Sequence, residues 1–416
     1  MNVWFVNQYA IPPSQAGGTR HYSLARALQP HGIDVEIFAS TRNYLTGMTI
    51  AAPGATTEGG VRFTFVDTGR SAVVGKRASR LAAMVGFWRG FRREARNRTD
   101  GPDVIVGSTP SPFAAWGAGG EAARRGVPFV LEIRDLWPQT LIDVGSYPRW
   151  HPGVVLFGAM ERALYRRAAH IVSLLPQADR HIAAVLRRPA AVTWIPNGID
   201  LRLAKEARCG TRAPEDGDAD GAFLVMYAGA HGPANALDAV LDAAALLEQR
   251  QPGRFRLLFV GDGHDKARLQ ARVRIEHLST VSFRDPVPKA EVYRLLARAD
   301  ALVVNMNRGP LYRSGISFNK IYDYLAVGRP IVFGTDAVNN PVAEAEAGVT
   351  VAANDPAALA GGIEALARML PSEREAMGVR ASAFVEAHHD IDVLAERFAD
   401  VLRSITSARA RAGAPA

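Results

Sequence analysis

Short apolar runs rich in Val, Ile and Phe recur along the chain, with helical patterns between them. The first seven lie at 3–8, 35–39, 62–66, 104–107, 129–133, 171–175 and 192–195. Runs this short, bounded by turn residues, read as strands, and their alternation with helices predicts a largely parallel sheet covered on both faces. A second series follows at 223–227, 256–260, 281–283, 302–305, 331–333 and 349–352. The fold class expected is α/β, with two doubly wound, Rossmann-like domains. Residues 1–198 are assigned to the first and 199–386 to the second. Leu394, Phe398, Val401 and Leu402 mark a helical stripe. A C-terminal helix over 387–408 is therefore expected to pack back toward the first domain, ahead of a frayed tail at 409–416. Between the two series, residues 202–221 are polar and read as a linker or loop. Asp216, Asp218 and Asp220 imitate an acidic metal-binding run there, but no strand or helix orients them, so a flexible loop is the preferred reading and no metal is expected.

The chain has 416 residues, 48% of them hydrophobic and 22% charged, which suits two ordinary cores and excludes a disordered protein. Met1-Asn-Val-Trp-Phe-Val6 runs straight into a strand pattern and no apolar stretch reaches about 18 residues, so neither a leader nor a membrane span is expected. A cytoplasmic protein, peripheral on the inner face of the cell membrane, is the expectation. The single cysteine, Cys209, excludes an internal disulfide and a thiolate metal site. A net charge of +8 points to an anionic partner. Between Lys76 and Arg98 there are eight basic residues and one acid, Glu94, interleaved with Leu81, Met84, Val85, Phe87, Trp88 and Phe91. Residues 76–98 read equally as a basic amphipathic helix on an anionic membrane surface or as a surface helix with its apolar side on the core. No nucleic-acid-binding signature is present, and nucleic acid is not an expected partner.

Open α/β sheets bind ligands in the loops at the carboxyl ends of their strands. Gly17 and Gly18 follow the first strand and open a helix, where bare backbone can approach a diphosphate. Arg134-Asp135-Leu-Trp137-Pro138 follows another strand. A charged pair and an aromatic face suit sugar hydroxyls and a sugar ring, and a structural ion pair is the alternative. In the second series, Gly229, Gly261 and Gly263 stand directly after strands, where a ligand or a neighbouring backbone can come close. His231 could bind a phosphate or assist proton transfer, the alternative being a solvated loop histidine. The segment from Ser314 to Val332 is the most informative. Ser317 is read as the cap of a helix beginning Phe318-Asn319-Lys320, whose N-terminus attracts anions. Lys320 and Asp323 share one face, while Ile321, Tyr324 and Leu325 form the stripe that docks on a sheet.

Read together, Gly17-Gly18, Pro196-Asn-Gly-Ile-Asp200, Val260-Gly-Asp-Gly263 and the Ser314–Val332 block resemble the family 4 glycosyltransferases over nearly the whole chain. Arg134-Asp-Leu-Trp-Pro138 and Ser317-Phe-Asn-Lys-Ile-Tyr-Asp-Tyr-Leu-Ala326 look most like the branch that attaches amino or deoxy sugars, including fucosamine, during O-antigen and capsule assembly. The resemblance implies a GT-B fold with its two domains facing across a cleft. It also implies retaining transfer from a nucleotide sugar, a UDP sugar for preference, to a lipid-linked or growing glycan acceptor, without cofactor or metal. Asp135, Arg134 and Lys320 are the implied catalytic residues. The implied donor site comprises Gly17, Gly18, Gly229, His231, Gly261, Gly263, Arg313, Ser317, Asn319, Lys320 and Asp323, with Asp323 on the ribose, Lys320 on the diphosphate and Pro286-Val-Pro288 near the base. Two departures stand out. Gly315 replaces the first of two family glutamates, and Ala230 and Asn235 stand where a basic pair is usual. Lys320 and Arg313, then Arg284 and Lys289, are the candidates to supply the missing charge. Readings outside the transferases are a non-catalytic nucleotide-sugar-binding subunit and a nucleotide-sugar epimerase. A dehydrogenase is disfavoured because no Gly-x-Gly-x-x-Gly follows the first strand.

Overall fold

The computed structural model describes residues 1–412 except 16, 44–46, 70–76, 144 and 210–220. Lys76, the three aspartates at 216, 218 and 220, and the last four residues of the expected tail lie outside the described residues. The chain divides into two compact units. One comprises Met1–Asn197, Arg313–Ser317 and Ile391–Ala416, and the other Gly198–Tyr312 and Phe318–Asp390.

In the first unit the strands are β1 (Asn2–Val6), β2 (Asp34–Ser40), β3 (Gly54–Glu58), β4 (Val61–Val66), β5 (Val104–Ser108), β6 (Phe129–Ile133), β7 (His170–Ser173) and β8 (Val192–Trp194). They form one sheet in the order β3-β4-β2-β1-β5-β6-β7-β8. All neighbours are parallel except the β3–β4 pair. Side chains alternate across the sheet with period two. Val3 and Phe5 pack with the Arg20–Leu28 and Ile391–Ala412 helices, the Phe5 and Phe398 rings lying 5.6 Å apart. Trp4 and Val6 face the other way, toward the Arg77–Asn97, Pro112–Arg125, Pro152–Arg167 and Ala178–Leu186 helices. Both faces are thus dry, which is why the strands read as continuous apolar runs. The exposed edge strand β3, Gly-Ala-Thr-Thr-Glu, carries no such signal and was not expected from the sequence.

The second unit has β9 (Phe223–Ala228), β10 (Phe255–Val260), β11 (Val281–Arg284), β12 (Ala301–Asn305), β13 (Ile331–Gly334) and β14 (Gly348–Val351), all parallel, in the order β11-β10-β9-β12-β13-β14. The Leu237–Arg250 and Pro356–Arg368 helices cover one face. The strand order reverses between β9 and β12 here, and between β1 and β5 in the first unit. Those are the places where an open sheet parts its loops. The expected linker begins differently: Leu201–Cys209 is a helix packed on the Lys289–Arg298 and Asn319–Val327 helices. The last helix runs to Ala412, past the 408 limit read from the sequence.

Candidate active site

Each unit gathers polar side chains at the carboxyl ends of its central strands. In the first, Glu132 is the one polar residue of Phe-Val-Leu-Glu-Ile and is 1% exposed. A carboxylate inside a two-faced strand must be paired. It accepts from Arg20 Nε at 2.9 Å, His21 Nε2 at 2.7 Å and Ser108 Oγ at 2.6 Å. Burial disfavours the Glu132 anion, but its contacts with His21 and Arg20 outweigh that cost and hold its pKa well below the usual carboxylate range. The Asn7 amide meets His21 Nδ1 at 3.1 Å, which leaves the ring proton on Nε2 for Glu132. Burial also lowers the His21 pKa, against the opposing pull of Glu132. The Arg20 guanidinium continues to the carbonyls of Ile195 and Pro196. This network, which the motif reading missed, braces the helix that follows Gly17 and Gly18. Its signal in the sequence was the lone acid in an apolar strand.

Arg134 and Asp135 follow directly. The Arg134 N–H donates to Thr109 Oγ1 at 2.9 Å, and the Thr109 N–H to the Glu132 carbonyl, also at 2.9 Å. Asp135 is exposed and has no side-chain partner among the described residues. The protein around it still raises its carboxyl pKa by desolvation, with Arg134 pulling the other way. Arg134 Nε and Trp137 Nε1 are buried without a hydrogen-bond partner. A narrow cleft is lined by Thr109, Asp135, Trp137 and Phe157, the Trp137 and Phe157 rings lying 5.3 Å apart. Asp135 and Arg134 are therefore not a closed ion pair.

In the second unit, the loops after β9 and β10 lock together through backbone. Gly229 N donates to Val260 O at 3.0 Å, His231 N to Asp262 O at 2.9 Å and Asp265 N to His231 O at 2.9 Å. A Cβ on Gly261 would lie 2.2 Å from Gly229 O, and one on Gly263 would lie 2.4 Å from His231 O. The close approach these two glycines permit is to neighbouring backbone. Gly229 differs, since a Cβ there would meet Lys320 Cε at 3.2 Å.

Lys320 is the centre of this cluster. Tyr324, one turn further along the Asn319–Val327 helix, pins that helix to β9 by accepting from Ala228 N and donating to Ala228 O. The Lys320 ammonium then reaches Tyr227 Oη at 2.8 Å and Asn235 Oδ1, and lies 4.7 Å from the Tyr227 ring centroid. Tyr227 Oη and Asn235 Nδ2 both donate to the Ala230 carbonyl. The ammonium therefore stands beside Ala230 and Asn235, where the family's basic pair would be. No carboxylate pairs with it among the described residues, and desolvation lowers its pKa from 10.5 to about 7. His231 lies alongside, wholly buried among the rings of Tyr227, Phe259 and Phe283, with neither ring nitrogen hydrogen-bonded. Burial, reinforced by the Lys266 and Lys320 charges, lowers its pKa to about 4. It is not the solvated loop histidine that was the alternative.

Three expectations from the sequence need correction. Ser317 caps nothing: Phe318 holds the N-cap place without a side-chain bond, and Ser317 Oγ accepts from Asn197 N at 2.8 Å. Lys320 and Asp323 do not act as one face, because Asp323 turns to Lys289 Nζ at 2.6 Å and Tyr293 Oη at 2.8 Å. Arg313 and Ser317 group with the first unit, as do Gly17, Gly18, Arg134 and Asp135, whereas Gly229, His231, Gly261, Gly263, Asn319, Lys320 and Asp323 belong to the second.

A "Glycosyl transferase 4-like domain" model matches residues 16–198, and a "Glycosyl transferases group 1" model matches 222–369. The chain is a GT-B glycosyltransferase. Its fold is similar to sucrose-phosphate synthase of Thermosynechococcus elongatus, at 18% identity over 98% of this chain and 99% of that one, with a TM-score of 0.75. It is also similar to trehalose 6-phosphate synthase of Burkholderia multivorans, at 17% over 100% and 98%, with a TM-score of 0.72. Anabaena HepE in complex with UDP-glucose matches at 15% over 97% and 100%, with a TM-score of 0.67. No curated protein sequence matches. In this glycosyltransferase the group 1 domain contains the whole Lys320 cluster.

Proposed function

We propose that this glycosyltransferase moves an N-acetylated amino or deoxy sugar from a UDP sugar to a lipid-linked or growing glycan acceptor, with retention, in the assembly of O-antigen or capsule. The observation that carries the donor assignment is Lys320: a desolvated ammonium with only neutral partners, set against the glycine loop at the carboxyl end of β9. A diphosphate supplies the missing counter-charge. HepE, of similar fold, is described in complex with UDP-glucose. The chemical demand is a diphosphate leaving group that gains negative charge as the glycosidic bond breaks. A preorganised cation and N–H donors meet that demand without reorganising. Asp323, held by Lys289 and Tyr293, would take the ribose, and Asp135 and Arg134 would orient the acceptor. On the family's mechanism the leaving phosphate itself removes the acceptor proton. The basic Arg77–Asn97 helix would rest on an anionic membrane surface.

The test is release of UDP or GDP from a panel of nucleotide sugars, with and without a membrane lipid extract. Release that requires one UDP sugar and the extract is the expected result. Binding across the panel with no release would make the protein a non-catalytic nucleotide-sugar-binding subunit.

A second consequence concerns protons. Between pH 7 and 10.5 the unfolded chain keeps the Lys320 proton and the folded apo-protein does not, so stability linked to this group rises with pH across that window. Binding an anion restores the proton. Calorimetry of UDP-sugar binding in buffers of different ionisation enthalpy is expected to show uptake of about 0.9 proton at pH 8 and about 0.1 at pH 6. The diphosphate diester of the ligand does not titrate in this range. Uptake independent of pH would separate Lys320 from the bound phosphates.

A further inference from the structure

We propose that the first half of the Pro152–Arg167 helix, with Trp150 just ahead of it, inserts into the headgroup layer of an anionic bilayer. The outward stripe of this helix runs through Pro152, Val155, Leu156 and Ala159, which are all exposed, at the i, i+3, i+4, i+7 spacing of a single face. Val155 is 60% exposed, Leu156 52% and Trp150 78%. The opposite side of the same turns, Val154, Phe157 and Met160, already faces the core. These two turns are therefore apolar all round, and packing within the protein accounts for only half of that.

One turn further on, the stripe changes character. Arg162 and Arg166 continue the line beyond Ala159, with Arg167 beside them and Arg149 next to Trp150, and all four are exposed. The helix has one acid, Glu161, which is buried and accepts from Tyr165 Oη and His181 Nε2. The charge that solvent meets on this element is thus wholly positive. The Arg77–Asn97 helix belongs to the same layer, since both helices pack on the Pro112–Arg125 helix. It presents Arg80, Arg89, Arg92, Arg93 and Arg96 to solvent, with Leu81 47% exposed.

An apolar stripe that ends in arginines, with a tryptophan at its edge and a cationic helix in the same layer, is complementary to acidic headgroups over an acyl boundary. A protein partner would need acidic groups placed to match two separate helices, whereas a lipid surface supplies them everywhere. Among the described residues no helix is long and apolar enough to cross a membrane, so the attachment is interfacial. This inference deepens the lipid-linked acceptor reading by identifying the element that inserts, and its vesicle-binding measurement needs neither donor nor acceptor.

The full chain is sedimented with vesicles of phosphatidylglycerol and phosphatidylcholine (1:3) and with phosphatidylcholine alone, and its self-association is followed by analytical ultracentrifugation. The wild type is expected to bind the anionic vesicles and to lose affinity with added salt. Val155→Glu/Leu156→Glu is expected to weaken binding by at least about tenfold, with an unchanged melting temperature and unchanged UDP binding. Arg89→Ser/Arg93→Ser is expected to weaken it and to flatten the salt dependence. Wild type that stays in the supernatant, or a double glutamate variant that binds as wild type does, overturns the proposal. So does a wild-type dimer that the glutamates dissociate, which would assign the stripe to a second copy of the chain. Vesicle binding by a protein that binds no UDP sugar would sink the donor assignment and leave this inference standing.

Discussion

Lys320→Met lowers kcat/KM by about 10²–10³-fold, the cost of one preorganised donor at a site of developing charge, and leaves the melting temperature unchanged or raised. The two readouts move apart because the methionine keeps the packing on Gly229 and the Tyr227 ring while removing a desolvated charge that no carboxylate offsets. A lysine that merely filled space would lose stability and leave turnover alone. The Asn235 contact permits a stricter test. Because the ammonium touches Asn235 Oδ1, Lys320→Met/Asn235→Lys should return a cation to nearly the same spot from the opposite wall. About tenfold of the lost turnover should reappear in the double variant. Nucleoside diphosphate release and differential scanning calorimetry on the two variants decide the matter. Wild-type turnover with unchanged donor affinity in Lys320→Met would remove Lys320 from the site.

Why Lys320 could be singled out from sequence, and its partners could not, follows from what is local. The helix face and the docking stripe depend on neighbours within a turn or two, and Ile321, Tyr324 and Leu325 are buried as their spacing required. The fate of each polar side chain depends on residues far away. Asn235 and Tyr227, 85 and 93 residues from Lys320, hold its ammonium. Asn197, 120 residues from Ser317, takes the hydroxyl that local spacing had assigned to the cap. Strands buried on both faces were legible because they leave no room for polar residues. β1 was read two residues too long because Asn7 and Gln8, which start the polar cluster, prolong it past Val6. Glu132 shows the reverse case: an anomaly in an apolar run is itself a sign of a paired site.

His231 supplies the second large effect. Its imidazole has one N–H and one lone pair, neither satisfied, in a box of aromatic rings where leucine would fit the chemistry better. An unmet buried donor or acceptor costs about 1–3 kcal/mol. His231→Leu is therefore expected to stabilise the protein by about 1–2 kcal/mol, roughly 2–8 °C in melting temperature for a unit of this size. With its pKa lowered to about 4 the ring is neutral at pH 7 and still holds an N–H to offer a phosphate oxygen next to the Lys320 ammonium. The same substitution should then cut turnover by about 10–100-fold, chiefly through donor affinity. His231→Gln, which restores an N–H, should regain part of that turnover and surrender the added stability. The opposed signs are what a purely structural residue cannot produce. If stability and turnover fall together, His231 is a core residue. If stability rises and turnover holds, the imidazole has no part in binding the donor.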